Sequence, residues 1–208
     1  MPCVRKESQI MINNVSSHYD ALIDENNDPV FDPEPLKKHM DRWDGSAFID
    51  LLDLNVSKSV LEIGVGTGRL AIRTAPLCRT FTGIDISEKT VEKAKQNLKR
   101  FNNVTLIHGD FSTFVFSEKY DVIYSSLTFM HFKNKADTIA KIYSLLNPSG
   151  NFVLSIDKSK NKYIECNGRT IEIYPDDPET TKTHLHNAKF VVESVIETEA
   201  AYLFSAKK

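Results

Sequence analysis

A chain of 208 residues with 41% hydrophobic and 26% charged residues has the make-up of an ordinary globular protein, which excludes wholesale disorder. A net charge of -2 supplies no general attraction for nucleic acid or anionic lipid, and no apolar run approaches the roughly 20 residues that span a bilayer. Neither nucleic acid nor membrane is expected as a partner, and a cytoplasmic protein is. Cys3, Cys78 and Cys166 are odd in number and irregular in spacing, which suits a reducing compartment. The opening MPCVRKESQIMINN lacks the apolar stretch and small-residue cleavage site of a signal peptide.

In chain order, a first helix is expected around residues 7–22. The following stretch, 20–34, carries Asp20, Asp24, Glu25, Asp28, Asp32 and Glu34 with no Lys or Arg, and includes Pro29 and Pro33. It reads as a loop before helical turns at 35–54, so that residues 1–55 form a helical cap. From residue 56 short β-rich runs alternate with amphipathic helical stretches, the pattern of a parallel sheet flanked by helices. The runs are Ser59–Ile63, Thr80–Asp85, Val104–His108, Tyr120–Ser125, Asn151–Ile156, Phe190–Glu199 and Ala201–Ala206. Ser87 is placed to cap a helix whose apolar positions Val91, Ala94, Leu98 and Phe101 step by three or four. A second helix carries Ile139, Ile142, Tyr143 and Leu146 and stops at Asn147-Pro148-Ser149-Gly150. The last two runs nearly touch, so they must pair antiparallel. Between the fifth and sixth runs, Asn167-Gly168 separates two β-prone arms and predicts an added hairpin over 162–174, because a type I′ turn needs positive φ at both central residues. The whole is expected to be one domain, with 56–208 as its core.

The chemistry concentrates in VLEIGVGTGRLA, residues 60–71, where an apolar strand runs into three alternate glycines and then a helix. Glycine permits close backbone approach to a ligand, and a following helix offers unpaired N–H groups. The spacing is Gly-x-Gly-x-Gly, with Arg69 where nicotinamide enzymes carry their third glycine, and no Gly-Lys-Ser/Thr ending marks a phosphate loop. Asp85 ends the next run, 17 residues after Gly68, where a carboxylate can accept from both hydroxyls of a ribose. Asp110 and Phe111 follow the third run, placed to meet an adenine amine and ring. Each has an ordinary alternative as a capping or turn residue. Their succession at the carboxyl ends of consecutive strands is where open α/β sheets bind ligands.

With these residues the segment from about Val56 to Ile156 resembles the class I S-adenosylmethionine-dependent methyltransferases of the small single-domain type. The resemblance implies an α/β fold of Rossmann-like, doubly wound form, with a seven-stranded sheet in order 3-2-1-4-5-7-6 and the seventh strand antiparallel. It implies S-adenosyl-L-methionine as cofactor. Glu62, Gly64, Gly66, Thr67 and Gly68 would cradle the methionine moiety, Asp85 with the adjacent Ile86 the ribose, and Asp110 with Phe111 the adenine. The backbone at Ser125–Leu127 would lie near the sulfonium. In related enzymes a leading helix covers the cofactor, which makes Tyr19 a candidate contact.

The acceptor is approached by exclusion. After the fourth run stands Ser125-Ser126-Leu127-Thr128-Phe129, not the Asp/Asn-Pro-Pro-aromatic of amine-methylating nucleic-acid enzymes, nor a Pro-Cys nucleophile, nor the paired glutamates of arginine methyltransferases. Ser125 also takes the place of the aspartate that metal-dependent catechol enzymes carry, so no metal is expected. A small-molecule acceptor with an N, O or C nucleophile is the expectation, and a non-catalytic binding module of the same fold is the alternative. Methyl transfer needs positioning first, and a base only for a protonated acceptor. His131 is the candidate general base, with a structural histidine as its alternative. Asp157 either orients an acceptor or starts a loop, Trp43 anchors the cap or faces a cation, and the 162–174 hairpin is a flap, a dimer edge or simple decoration. Monomer and homodimer both remain open.

Overall fold

In a computed structural model, which describes residues 13–208, the expected sheet is present. Strands β1 (Ser59–Ile63), β2 (Thr80–Asp85) and β3 (Val104–His108) have the bounds read from the sequence. They are joined by β4 (Tyr120–Ser126), β5 (Leu146–Asp157), β8 (Val191–Glu197) and β9 (Ala201–Lys207). Strands β6 (Tyr163–Cys166) and β7 (Arg169–Glu172) form a separate hairpin. The sheet order is β3-β2-β1-β4-β5-β9-β8; β9 runs antiparallel to both neighbours. With the hairpin strands left uncounted, this is the order that the resemblance implied.

The central strands are buried on both faces, and their side chains alternate between two cores as the pleat requires. Val60, Val122 and Tyr124 join Phe48, Leu52 and Phe81 on one side, while Leu61 and Ile123 join Phe129, Phe152 and Phe204 on the other. Helices α3 (Ser46–Leu51), α4 (Ala71–Thr74) and α5 (Glu88–Leu98) supply the first core. Helices α6 (Lys135–Leu145) and α7 (Pro178–Asn187) supply the second. Ser87 caps α5, its hydroxyl accepting from Thr90 N–H at 3.1 Å, as its position predicted.

Four local expectations change. The first helix, α1, spans Val15–Asp24, so it takes in residues 20–24 of the segment expected to be a loop; its expected start at residue 7 and Cys3 lie outside the described residues. The acids that suggested a loop are used by a neighbour: Asp20 accepts from the Ser87 hydroxyl at 2.7 Å and the Lys89 N–H at 3.1 Å, and Asp24 pairs with Lys89. Beyond it, Asp28 caps a short 3₁₀ turn at Pro29–Phe31. Next, α6 stops at Leu145, just before the expected stop, and β5 begins at once; Asn147–Gly150 fall in a register shift on β5, where pairing passes from Tyr120–Leu146 to Val122–Asn151. Finally, the glycine loop feeds only the one-turn α4 and a 3₁₀ turn at Ala75–Leu77, too short to present a helix end to a ligand.

The cap divides in two. Helix α1 lies across α5 and β7, while α2 (Glu34–Asp44) and α3 pack on β5 and β9. The hairpin turn has φ of +48° at Asn167 and +76° at Gly168, the paired positive values that the sequence predicted.

Candidate functional site

The carboxyl ends of β1, β2 and β4 open into a cavity of about 580 Å³ roofed by Val15 and Tyr19 of α1, a volume in the range of pockets that take a drug-sized ligand. Its floor is the glycine loop. Gly64 has φ +78°, and a Cβ there would sit 2.0 Å from Thr128 Oγ1, so no other residue fits. Gly66 has φ +56°, and a Cβ there would meet nothing within 4 Å. The bare backbone of Gly66 therefore faces open space. Beside it, Thr67 Oγ1 is buried without a hydrogen-bond partner. An exposed backbone cradle and an unsatisfied buried hydroxyl fit a polar ligand held close to this loop.

Asp85 closes the same floor. Its Oδ2 accepts from Gly66 N–H at 2.9 Å and its Oδ1 from Ser87 N–H at 3.0 Å. Burial pushes its carboxyl upward, and the N–H donors oppose the shift. Ile86, beside it, lines the cavity while its carbonyl accepts from Ser16 of α1 at 3.0 Å. Asp110 also lines the cavity, its Oδ1 accepting from Ser112 N–H at 2.7 Å. Phe111 is buried against Phe116 and Phe132, and Lys141 is pinned over its ring by bonds to the carbonyls of Phe111 and Phe114 at 2.6 and 2.7 Å. The far end of the cavity is thus aromatic and rigid.

The remaining candidates separate. Tyr19 and His131 both line the cavity and share a hydrogen bond of 2.9 Å between the phenol oxygen and Nε2. Burial lowers the His131 imidazole to about 4, with His18 and Lys135 adding to the shift, so the ring is neutral at physiological pH and a weak base. Burial, and secondarily the charge of Asp85, pushes the Tyr19 phenol upward. Ser125 does not reach the cavity. Its side chain is buried inside the sheet and donates to the Ile63 carbonyl at 3.1 Å, whereas Ser126, Leu127 and Thr128 form the wall.

The partner of Arg69 and the buried hydrogen bonds around Glu62 escaped the sequence reading. Arg69, read only as a missing glycine, holds Asp44 from the end of α2 with both its terminal nitrogens, one bond measuring 2.8 Å. Asp44 is fully buried and also accepts from Ser126 at 2.6 Å. Cap, glycine loop and β4 meet at this carboxylate. A pairing across 25 residues of chain leaves no local signature. Glu62 is buried nearby. Tyr124 donates to it at 2.9 Å, and the Thr74 hydroxyl lies 2.8 Å from the Tyr124 oxygen. Burial drives the Glu62 carboxyl well up, against the pull of Tyr124 and Arg69.

Comparison with known proteins places this geometry. Residues 54–202 match the family described as "Methyltransferase domain". Among curated relatives, an uncharacterized methyltransferase of Bacillus mycoides is 37% identical over 111 residues, covering 51% of each chain. The malonyl-[acyl-carrier protein] O-methyltransferase of Halalkalibacterium halodurans is 28% identical over 130 residues, 56% of this chain and 48% of that one. The chain spans about half the length of these curated relatives. Among solved structures, magnesium protoporphyrin IX methyltransferase from Synechocystis PCC 6803 with bound SAM superposes with a TM-score of 0.73 at 18% identity, covering 93% of this chain and 95% of the other. That likeness is one of fold.

Proposed function

Since the chain belongs to the methyltransferase domain family, we propose that it is an enzyme that transfers a methyl group from S-adenosylmethionine to a small molecule. The observation that carries this reading is the floor of the cavity, where Asp85 meets the bare Gly66 backbone beside the unsatisfied Thr67 hydroxyl. S-adenosylmethionine would supply an electrophilic methyl on a sulfonium, whose carbon–sulfur bond breaks as the acceptor's bond forms in line.

What the chain contributes is position. Gly64–Gly68 and Glu62 would hold the methionine portion, Asp85 and Ile86 the ribose, and Asp110 and Phe111 the adenine. Ser126–Thr128, rather than the inward-facing Ser125 side chain, would border the transferred methyl. Tyr19 would roof it, held by His131. With its imidazole lowered to about 4, His131 suits orientation of Tyr19 better than storage of a proton, so the acceptor would arrive as a ready nucleophile. The named relatives act on acceptors as unlike as malonyl-[acyl-carrier protein] and magnesium protoporphyrin IX, so kinship does not choose the acceptor. A site roofed by α1 admits a small molecule more readily than a macromolecule. No helix among the described residues is long and apolar enough to cross a membrane; with Cys78 and Cys166 free, a cytoplasmic setting fits.

Calorimetric titration with S-adenosylhomocysteine is the test. Saturable binding is expected, weakened about a hundredfold by Asp85→Ala through the loss of two hydrogen bonds to a charged group. Absence of binding at millimolar ligand would end the proposal. Release of S-adenosylhomocysteine during a screen of amine, hydroxyl and carboxyl acceptors separates an enzyme from a binding module of the same fold.

A further inference from the structure

Ser16 and Asp20 of α1 stand one helical turn apart, so their side chains share a face of the helix. That face meets the turn after Asp85. The Ser16 hydroxyl donates to the Ile86 carbonyl at 3.0 Å. Asp20 Oδ1 accepts from two donors in the first turn of α5, the Ser87 hydroxyl at 2.7 Å and the Lys89 N–H at 3.1 Å. The turn that carries Asp85 into α5 is therefore braced by a helix more than 60 residues earlier in the chain.

Ser87 is the joint between the two. It is fully buried, its hydroxyl oxygen accepts from Thr90 N–H at 3.1 Å, and Thr90 Oγ1 lies 2.6 Å from the same oxygen. Its backbone N–H donates to Asp85 Oδ1 at 3.0 Å, while Gly66 N–H holds Oδ2 at 2.9 Å. The Asp85 carboxylate is thus gripped at both oxygens, once by the glycine loop and once by Ser87. Each carboxylate oxygen has a further lone pair. The grip leaves two acceptor sites, and it fixes the direction in which they point.

Asp20 itself does not line the cavity, whereas Asp85, Ile86 and Thr90 do. Lys89 commits its ammonium to Asp24, so what Asp20 gives this turn is an oxygen that gathers two donors. An asparagine Oδ1 offers the same acceptor without the charge. Loss of that oxygen frees the Ser87 hydroxyl and the Lys89 N–H together, and with them the support of the N–H that orients Asp85.

We propose that Asp20 is a positioning residue for the cofactor, acting through Ser87 to hold the Asp85 carboxylate in the orientation that receives the ribose. The inference rests on the ribose assignment of Asp85 made above. Seating of the roof helix and alignment of the ribose carboxylate are then a single event.

Calorimetric titration of the full chain with S-adenosylhomocysteine tests it as a double-mutant cycle, each variant being checked for folding by thermal denaturation. Asp20→Ala should weaken binding about tenfold. Asp20→Asn should stay within about threefold of the unaltered chain, because both donors keep their acceptor. In an Asp85→Ala background, Asp20→Ala should change the affinity by less than about twofold, since the group it positions is gone. A residue that merely fastened the roof would weaken binding by the same factor in both backgrounds. That result, equal weakening by alanine and asparagine, or no weakening by Asp20→Ala would each overturn the proposal. Binding that Asp85→Ala weakens and Asp20→Ala does not would leave the ribose assignment standing without this role for Asp20. No binding by the unaltered chain, or binding indifferent to Asp85→Ala, would remove the assignment and the inference with it.

Discussion

The two halves of the cap reach the cavity in different ways. Helices α2 and α3 are built into the core: Phe48 and Leu52 are fully buried, Asp44 is buried against Arg69 and Ser126, and Ser155 donates to the Trp43 carbonyl at 2.6 Å. Helix α1 is held mostly by polar contacts at its edges: Ser16 to the Ile86 carbonyl, Asp20 to Ser87, Asp24 to Lys89, and Glu25 to Arg169 on the hairpin. Inward, Tyr19 bonds His131, and His18 is the buried residue of the helix. Burying an apolar side chain contributes about 1.5–3 kcal/mol, whereas an exposed ion pair contributes about 0–1. The half that roofs the cavity is thus the half held least firmly, the arrangement that the proposed site would need in order to load and unload.

The sharpest way to test the contrast is to remove the anchor of the firm half. Asp44→Ala leaves Arg69 buried beside Glu62 without its partner and should cost about 3–5 kcal/mol in urea denaturation. A loss below about 1 kcal/mol would show that both halves are held alike. Acid comes next. The His131 imidazole is lowered to about 4 in the folded protein, against about 6.5 when unfolded. Below pH 6.5 the unfolded state takes up a proton that the folded state refuses, so stability falls on acidification until the folded pKa is reached. The His131 share of that loss is on the order of 3 kcal/mol between pH 6.5 and 4, and His131→Asn should remove it. Curves of identical pH dependence would show that the histidine is not held neutral. Tyr19→Phe deletes one hydrogen bond and should cost about 1 kcal/mol, with faster amide exchange in α1 and none of that acceleration in α2. Smallest is Glu25→Gln. Arg169 and Asn167 hold this carboxyl down at about 2, yet Glu25 is 35% exposed at the surface, so water screens the pair and denaturation should not register the change. Only exchange at the α1 amides should quicken, and a shifted unfolding midpoint would count against the comparison.

The same contrast marks what a reader of the sequence can see. Asp85 at a strand end and Asn167-Gly168 between two arms are local signals, and β2 ends at the one while the other has the paired positive φ of a tight turn. The strand bounds of β1, β2 and β3 follow from short apolar runs closed by turn residues. The partners that lie far along the chain were out of view. The acids of α1 look like a solvated loop until Ser87 and Lys89, more than 60 residues on, donate to them. Arg69 looks like a broken motif until Asp44 is beside it. Ser125 and Ser126 could not be told apart, because β4 is buried on both faces and alternation loses its contrast there. The depressed imidazole of His131 was equally hidden, since its cause is burial beneath a helix from the other end of the chain.

Trp43, the chain's single tryptophan, sits on α2 with Arg42 stacked 5.1 Å from its ring centroid and its own carbonyl tied to β5. It belongs to the firm half and does not line the cavity. Intrinsic fluorescence therefore watches the still part of the molecule. Emission that stays constant during a ligand titration would carry no message about the roof, while a spectral shift would mean that the anchored cap itself had moved. An optical reporter of loading has to be introduced on α1.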